Sequence, residues 1–356
     1  MRIDLLRQLC ETPGVPGREE RVRSLIQKNL KGLFDKIETD PMGSLICTRK
    51  PTANGKSRSK PTRVMIAAHM DEIGFYIRHV DEKGFLWVNP AGGFDPRNLF
   101  SRRVLVCTDE GDFEGVMNPG GKPIHIASDE DKKKVPQIEE FFIDLGMDAE
   151  DVRKQVKIGD FVVMHEPFLE QPRKVVSKAL DNRIACFVAI EAVSKLAKSR
   201  SDAAKHRCEM VVVFTVQEEV GVRGATVSAY GLDPQVGLAI DVTPAGDTPN
   251  SMRRDIALGK GPAIKIKDSQ MLADPKVVAW MERAAEKGKI SIQREVLTSG
   301  STDARAIQLT RSGVPTGGLT LPCRYVHSPS EMMDYGDVEN AVELLTAMLN
   351  APIDLG

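Results

Sequence analysis

Apolar residues recur at helical spacing twice near the start of the chain, as Ile3, Leu5, Leu6 and Leu9 and then as Val22, Leu25, Ile26 and Leu30. The Pro-Gly break Thr12-Pro13-Gly14-Val15-Pro16-Gly17 separates these two predicted helices. Arg18-Glu19-Glu20-Arg21 reads as the polar first turn of the second. Three later runs, Val64–Ala68, Val211–Val216 and Val236–Ile240, are almost continuously apolar instead of alternating, the pattern of strands buried on both faces. Helical patterns at Ile184–Leu196 and Val277–Ala285 lie before the second run and after the third.

The stretch from 73 to 166 changes character. Phe75–Val80 and Phe85–Val88 flank the turn Asp81-Glu82-Lys83-Gly84 and predict a hairpin. Val104–Thr108 and Phe113–Val116 predict another about Glu110-Gly111-Asp112, Asp160–Val163 adds a strand, and a helix is expected near Ile138–Phe142. Asn54-Gly55-Lys56-Ser57-Arg58-Ser59-Lys60 reads as an exposed turn before a strand. The expected fold is therefore α/β, with a mostly parallel central sheet carrying helices on both faces. Residues 1–72 and 167–356 would form that domain, and residues 73–166 a small all-β insertion within it.

At 356 residues the chain exceeds one ordinary core, which agrees with two domains. The formal net charge is -1 with acids and bases interspersed, so neither nucleic acid nor a membrane surface is an expected partner. The longest basic run, Lys132-Lys133-Lys134, follows Asp129, Glu130 and Asp131 and reads as a solvated face. Six scattered cysteines without a CxxC pair, and a start Met1-Arg2-Ile3-Asp4 lacking an apolar leader, predict reduced thiols and a cytoplasmic location.

The chemistry sits where the three buried runs stop. In open α/β sheets, functional groups gather beyond the carboxyl ends of the strands. The first run leads into His69-Met70-Asp71, the second into Gln217-Glu218-Glu219 and the third into Asp241. One polar residue ending a strand is ordinarily a turn or cap residue, but three such ends converging would be costly unless a cation or hydrogen bonds compensated. His69 and Asp71, two apart in an extended segment, face the same side, so Asp71 can orient the imidazole. Adjacent Glu218 and Glu219 would point oppositely in extended backbone, which suggests one metal ligand and one general base. Asp181, before the apolar helix, also reads as an N-cap, as does Ser301-Thr302-Asp303 before Ala304; His327 lies in a late loop.

Taken in order, Ala68-His69-Met70-Asp71-Glu72-Ile73-Gly74-Phe75, Lys178-Ala179-Leu180-Asp181-Asn182-Arg183, Phe214-Thr215-Val216-Gln217-Glu218-Glu219-Val220-Gly221, Asp241-Val242-Thr243, Ser301-Thr302-Asp303-Ala304 and Arg324-Tyr325-Val326-His327-Ser328-Pro329 resemble the motifs of the tetrahedral (TET) aminopeptidases. That family includes glutamyl and deblocking aminopeptidases and proteins labelled endoglucanase M. The resemblance implies a zinc-exopeptidase-like fold and a metal-dependent aminopeptidase acting on short peptides. It implies two divalent ions per subunit, one bound by His69 and Asp241, the other by Glu219 and His327, with Asp181 bridging them. Glu218 would be the catalytic base and Asp71 the residue holding His69. The all-β insertion would be a dimerisation domain, and the dimers would assemble into a hollow homo-oligomeric dodecamer. The likeness extends through Gly92-Gly93-Phe94-Asp95-Pro96-Arg97, while Gly115–Pro123 departs from the family's shorter turn. A ligand set of nitrogen and oxygen suits Zn or Co and admits Mn.

Other chemistries fit less well. Gly115 to Lys122 fails as a phosphate-binding loop because an extra Gly precedes the Lys and Pro123 replaces the required Ser or Thr. No HExxH and no GxSxG occurs. A two-carboxylate glycoside hydrolase needs none of His69, Asp181 and His327, and aromatic residues for sugar stacking are only 5% of the chain. A non-catalytic scaffold stabilised by metals would leave Glu218 without a role.

Overall fold

The computed structural model describes residues 1–52, 61–123, 125–198, 206, 208–251, 255–350, 353 and 355; the turn expected at Asn54–Lys60 lies outside them. The chain begins with α1 (Ile3–Glu11), α2 (Glu20–Asn29), β1 (Lys36–Thr39), β2 (Leu45–Arg49) and β3 (Arg63–His69). Next come β4 (Gly74–Val80), β5 (Leu86–Ala91), β6 (Arg102–Thr108), β7 (Gly111–Pro119), β8 (Phe141–Asp144), α3 (Ala149–Gln155) and β9 (Phe161–Met164). There follow β10 (Leu169–Glu170), β11 (Lys174–Ser177), α4 (Leu180–Lys198), β12 (Glu209–Thr215), α5 (Arg223–Leu232) and β13 (Val236–Pro244). The last elements are β14 (Ala263–Lys267), α6 (Pro275–Gly288), β15 (Gln293–Val296), α7 (Ala304–Gln308), β16 (Thr316–Cys323), β17 (Glu331–Asp334) and α8 (Tyr335–Asn350).

Eight strands form the main sheet in the order β1-β2-β12-β3-β13-β16-β14-β15. The four central strands, β12, β3, β13 and β16, run parallel. β2 and β14 flank them antiparallel. Continuous apolar runs make sense because both faces are covered. Along β3, Val64, Ile66 and Ala68 enter one core with residues of α1, α2, α4, α6 and α8, while Met65 and Ala67 enter another with Ala229 of α5 and Ile307 of α7.

Between Gly74 and Met164 the six strands β4-β5-β8-β7-β6-β9 close into a barrel with its own core of Phe75, Ile77, Val88, Val104, Met117, Phe141 and Ile143. The helix expected near Ile138–Phe142 is absent: a 3-10 turn over Ile138–Glu140 leads directly into β8. Phe141 and Ile143 alternate inward and β8 pairs with both β5 and β7, so closing the barrel overrides the local helical tendency. The second hairpin turns one residue earlier than expected, on Asp109 and Glu110, with Thr108 opposite Gly111. Helix α3 was not read from the sequence; its signal was Val152 and Val156 four apart behind Asp148. The run Lys132–Lys134 is exposed, and Lys132 pairs with Asp129.

Several backbones meet on one buried cation. Arg183, wholly buried at the start of α4, donates from Nε to the Met70 carbonyl at 2.6 Å and from Nη1 to the Leu9 and Thr12 carbonyls at 2.5 and 2.7 Å. Its Nη2 reaches the Gly14 carbonyl at 3.1 Å and Glu72 Oε1 at 3.2 Å. Lys178 Nζ closes the other side of Glu72 at 2.6 Å. The entry to the barrel is equally close-packed, since a Cβ on Gly74 would fall 2.3 Å from Val15 Cγ1 and 2.5 Å from the Val162 carbonyl. Replacing Arg183 with Ala removes a donor from four carbonyls, of which Gly14's keeps the Glu72 N–H, breaks half of the Glu72 ion pair, and is expected to lower unfolding free energy by about 3–5 kcal/mol. Urea melts of the metal-free protein check this; a shift below about 1 kcal/mol contradicts it.

Candidate metal centre

The site forms where the parallel strands part. β3 pairs with β12 up to His69 opposite Thr215, but with β13 only as far as Ala67 opposite Ala239. β13 continues alone with β16, so Asp241 lies inside the strand, opposite Thr320, rather than beyond its end as the sequence suggested. A crevice of about 350 Å³ opens there, bordered by His69, Asp181, Glu218, Glu219, Asp241 and His327.

Among the described residues two sets of potential ligand atoms occur, each within 4.8 Å of one another: His69, Asp181 and Asp241, and Asp181, Glu219 and His327. Asp181 belongs to both. His69 Nε2 is 3.3 Å from Asp181 Oδ1 and 3.9 Å from Asp241 Oδ1. His327 Nε2 is 3.4 Å from Asp181 Oδ2 and 3.3 Å from Glu219 Oε2. Glu218 Oε2 stands 3.9 Å from His69 Nε2 and belongs to neither set.

The residues around these groups aim them. His69 Nδ1 lies 3.1 Å from the Asp71 carbonyl oxygen and 3.4 Å from Asp71 Oδ1, which puts the ring proton on Nδ1 and turns the Nε2 lone pair into the crevice. The Asp71 carboxylate also accepts the Glu218 N–H at 3.1 Å and the Glu219 N–H at 3.0 Å, so it aims both glutamates as well as the imidazole. The extended backbone assumed for those glutamates is not what forms. Gln217 takes a positive φ of 57°, and the chain turns there, yet Glu218 and Glu219 still go to different neighbours. Glu19, expected as part of a polar helix turn, is buried and accepts the Gly17 N–H at 2.8 Å and the Gln217 N–H at 3.0 Å.

Asp181 and Asn182 leave helical geometry inside α4, and the peptide between them is cis. Asn182 Nδ2 donates to the Ile240 carbonyl at 2.9 Å, joining this segment to β13 just before Asp241. Asp303 shows no side-chain cap to α7; its Oδ2 accepts the Thr215 hydroxyl at 2.5 Å, and Thr302 Oγ1 receives the Ala304 N–H instead. Gly93, from the β5 end of the barrel, faces the His327 ring, and a Cβ there would sit 3.5 Å from Nδ1. Sequence reading missed Glu19 and Glu331, which had no signal beyond being acidic; each joins a nearby backbone N–H to one that only the fold brings near.

Electrostatically the site lacks positive charge. Burial pushes Glu218 and Asp241 well above the usual carboxylate range and Asp303 up to about 6. Against their own desolvation, Asp181 and Asp71 hold His69 far above its ordinary value, and Glu219 and Asp181 hold His327 up to about 12. Glu219 Oε1 is buried without a hydrogen-bond partner, and Asp181 Oδ1, also buried, has only the His69 imidazole beside it at 3.3 Å. Buried carboxylate oxygens, one of them orphaned, beside two imidazoles form a donor set of nitrogen and oxygen that fits two divalent cations such as Zn, Co or Mn.

The M42 glutamyl aminopeptidase family matches residues 43–344. A lysyl aminopeptidase from Pyrococcus furiosus is 32% identical over 97% of this chain and 96% of its own. An aminopeptidase structure from the archaeon Desulfurococcus kamchatkensis is 38% identical with a TM-score of 0.89, covering 98% of this chain and 94% of the other. The TET1 peptidase of Pyrococcus horikoshii, which can assemble into a tetrahedron or a large octahedral shell, is 31% identical with a TM-score of 0.86 over 98% of each chain.

With both imidazoles held above their ordinary values, a cation taken up by His69 and His327 would have to displace their protons. Metal uptake is expected to release protons, and apparent affinity to fall as pH is lowered. Calorimetric titration of Zn²⁺ in buffers of different ionisation heat measures the release; uptake without proton displacement contradicts this account.

Proposed function

From the premise that this chain belongs to the M42 glutamyl aminopeptidase family, we propose that it is an aminopeptidase removing N-terminal residues from short peptides with two divalent ions, Zn or Co and alternatively Mn. The observation carrying the proposal is the pair of imidazole–carboxylate sets sharing Asp181, with Glu218 beside them but in neither. His69 and Asp241 would hold one ion, Glu219 and His327 the other, and Asp181 both. When bound, the ions polarise the scissile carbonyl and make an attacking water more acidic.

The protein's own part is proton handling and orientation. Glu218, whose carboxyl is raised by burial, accepts the proton of the water as its oxygen bonds to the carbonyl carbon. The same proton passes to the departing amine nitrogen as the C–N bond breaks. Asp71 keeps Glu218 and Glu219 in register by holding their N–H groups, and fixes the tautomer of His69. Crevice walls from Val242, Leu297, Ser299, Gly300 and Val326 would receive the N-terminal side chain.

Residues 73–166 are proposed as a dimerisation insert in a catalytic domain of residues 1–72 and 167–356. The tetrahedron or large octahedral shell formed by the related TET1 peptidase supports a homo-oligomer, and the dodecamer is the form proposed for it. A cytoplasmic location is part of the same proposal, resting on six cysteines that are all free and buried. Among the described residues no helix is long and apolar enough to cross a membrane.

The central test is Glu218→Gln, expected to keep both ions and the oligomer while kcat falls by about 10²–10⁴ on aminoacyl p-nitroanilides. Unchanged turnover in a fully loaded variant would falsify Glu218 as the base. EDTA should abolish hydrolysis in wild type, and Zn, Co or Mn added back should restore it. Activity that survives chelation on a cellulosic substrate would favour the two-carboxylate glycosidase instead.

A further inference from the structure

One buried carboxylate outside the two ligand sets touches the backbone of two of the three residues of the second, Asp181 and His327. Glu331 opens β17, paired with Ser177 of β11, and only 2% of it is exposed. Its Oε2 accepts the Asp181 N–H and its Oε1 the His327 N–H, each at 2.9 Å. Both oxygens are thus engaged with main-chain donors from segments far apart in sequence.

The two halves of the centre are built differently. His69 ends β3 and Asp241 lies within β13, so sheet hydrogen bonds place the first pair. Asp181 and His327 lie on irregular backbone: Asp181 departs from helical geometry inside α4, and His327 has a positive φ of 61°, a conformation strained for a non-glycine residue. The loop carrying His327 is closed at its base by reciprocal hydrogen bonds between Arg324 and Met332, at 3.0 and 3.1 Å. Within that closed loop Glu331 reaches back to the His327 N–H and across to Asp181. Without it, neither N–H has this acceptor and the separation of the two side chains is not set.

We propose that Glu331 is a positioning residue that presets the Asp181–Glu219–His327 half of the centre for its cation, leaving the His69–Asp241 half to the sheet. This rests on the two-cation reading above. The role is asymmetric, and the asymmetry makes it testable apart from catalysis.

Glu331→Gln keeps the volume but offers one oxygen acceptor, so one of the two N–H groups faces an amide NH2; Glu331→Ala removes both acceptors. Metal-free proteins are titrated with Co²⁺, following its visible absorption and the stoichiometry by calorimetry, with thermal melts of the same metal-free samples. In both variants one of the two sites is expected to weaken about ten- to hundredfold, while the other, which shares only Asp181 with it, loses much less. The melting temperature of metal-free Glu331→Gln is expected to stay within a few degrees of wild type. Two unchanged sites, equal losses at both, or losses that simply follow a collapse of metal-free stability each overturn the role of Glu331. A wild type that takes up fewer than two Co²⁺ ions removes the two-cation reading itself, and the proposal with it.

Discussion

The structure turns on the crowding of carboxylates at the open ends of the parallel strands. Asp181, Glu218, Glu219 and Asp241 surround two imidazoles, with Asp71, Asp303 and Glu331 packed behind them. Two unit charges of one sign at 4 Å repel by about 4 kcal/mol at the effective dielectric of a protein near its surface, and Asp181 lies within 4.8 Å of both Asp241 and Glu219. The basic side chains around the site are engaged elsewhere, Lys178 and Arg183 by Glu72 and Lys265, on the crevice wall, by Glu295. Raised carboxyls, strongly basic imidazoles and an unpartnered oxygen are three expressions of the same missing positive charge.

Architecture makes such crowding tolerable through main-chain donors in place of fixed cations. Asp71 accepts from Glu218 and Glu219, Glu19 from Gly17 and Gln217, and Glu331 from Asp181 and His327. Each carboxylate satisfies itself on N–H groups of the loop it steadies, so the loops are held without adding side-chain cations that would compete with metal. The Arg183 cluster then joins these loops to α1 and to the segment before the barrel, and links the shape of the crevice to the packing of the whole domain.

Much of this was legible from residue order alone. Strands buried on both faces must be apolar at every position, so β3, β12 and β13 stood out in the sequence, and the polar residues His69, Glu218, Glu219 and Asp241 stood out against them. The hairpins of the barrel were visible because turns and alternation are local properties. Local signals misled where pairing partners decide conformation: β8 is a strand because β5 and β7 flank it, and Asp241 stays within its strand because β16 continues beside β13 after β3 ends.

Only the tertiary structure decided which acids are aimed and by what. Nothing about Glu19 or Glu331 in sequence separates them from surface glutamates, since one hydrogen-bond partner of each, Gln217 and Asp181, lies on a remote segment. The sequence by itself determined the α/β pattern, the buried strands and the types of donor they deliver, because burial and periodicity are written residue by residue. Distances between those donors, the turn at Gln217 and the shared position of Asp181 depend on several strands and loops meeting at once, and such coincidences in space have no local imprint.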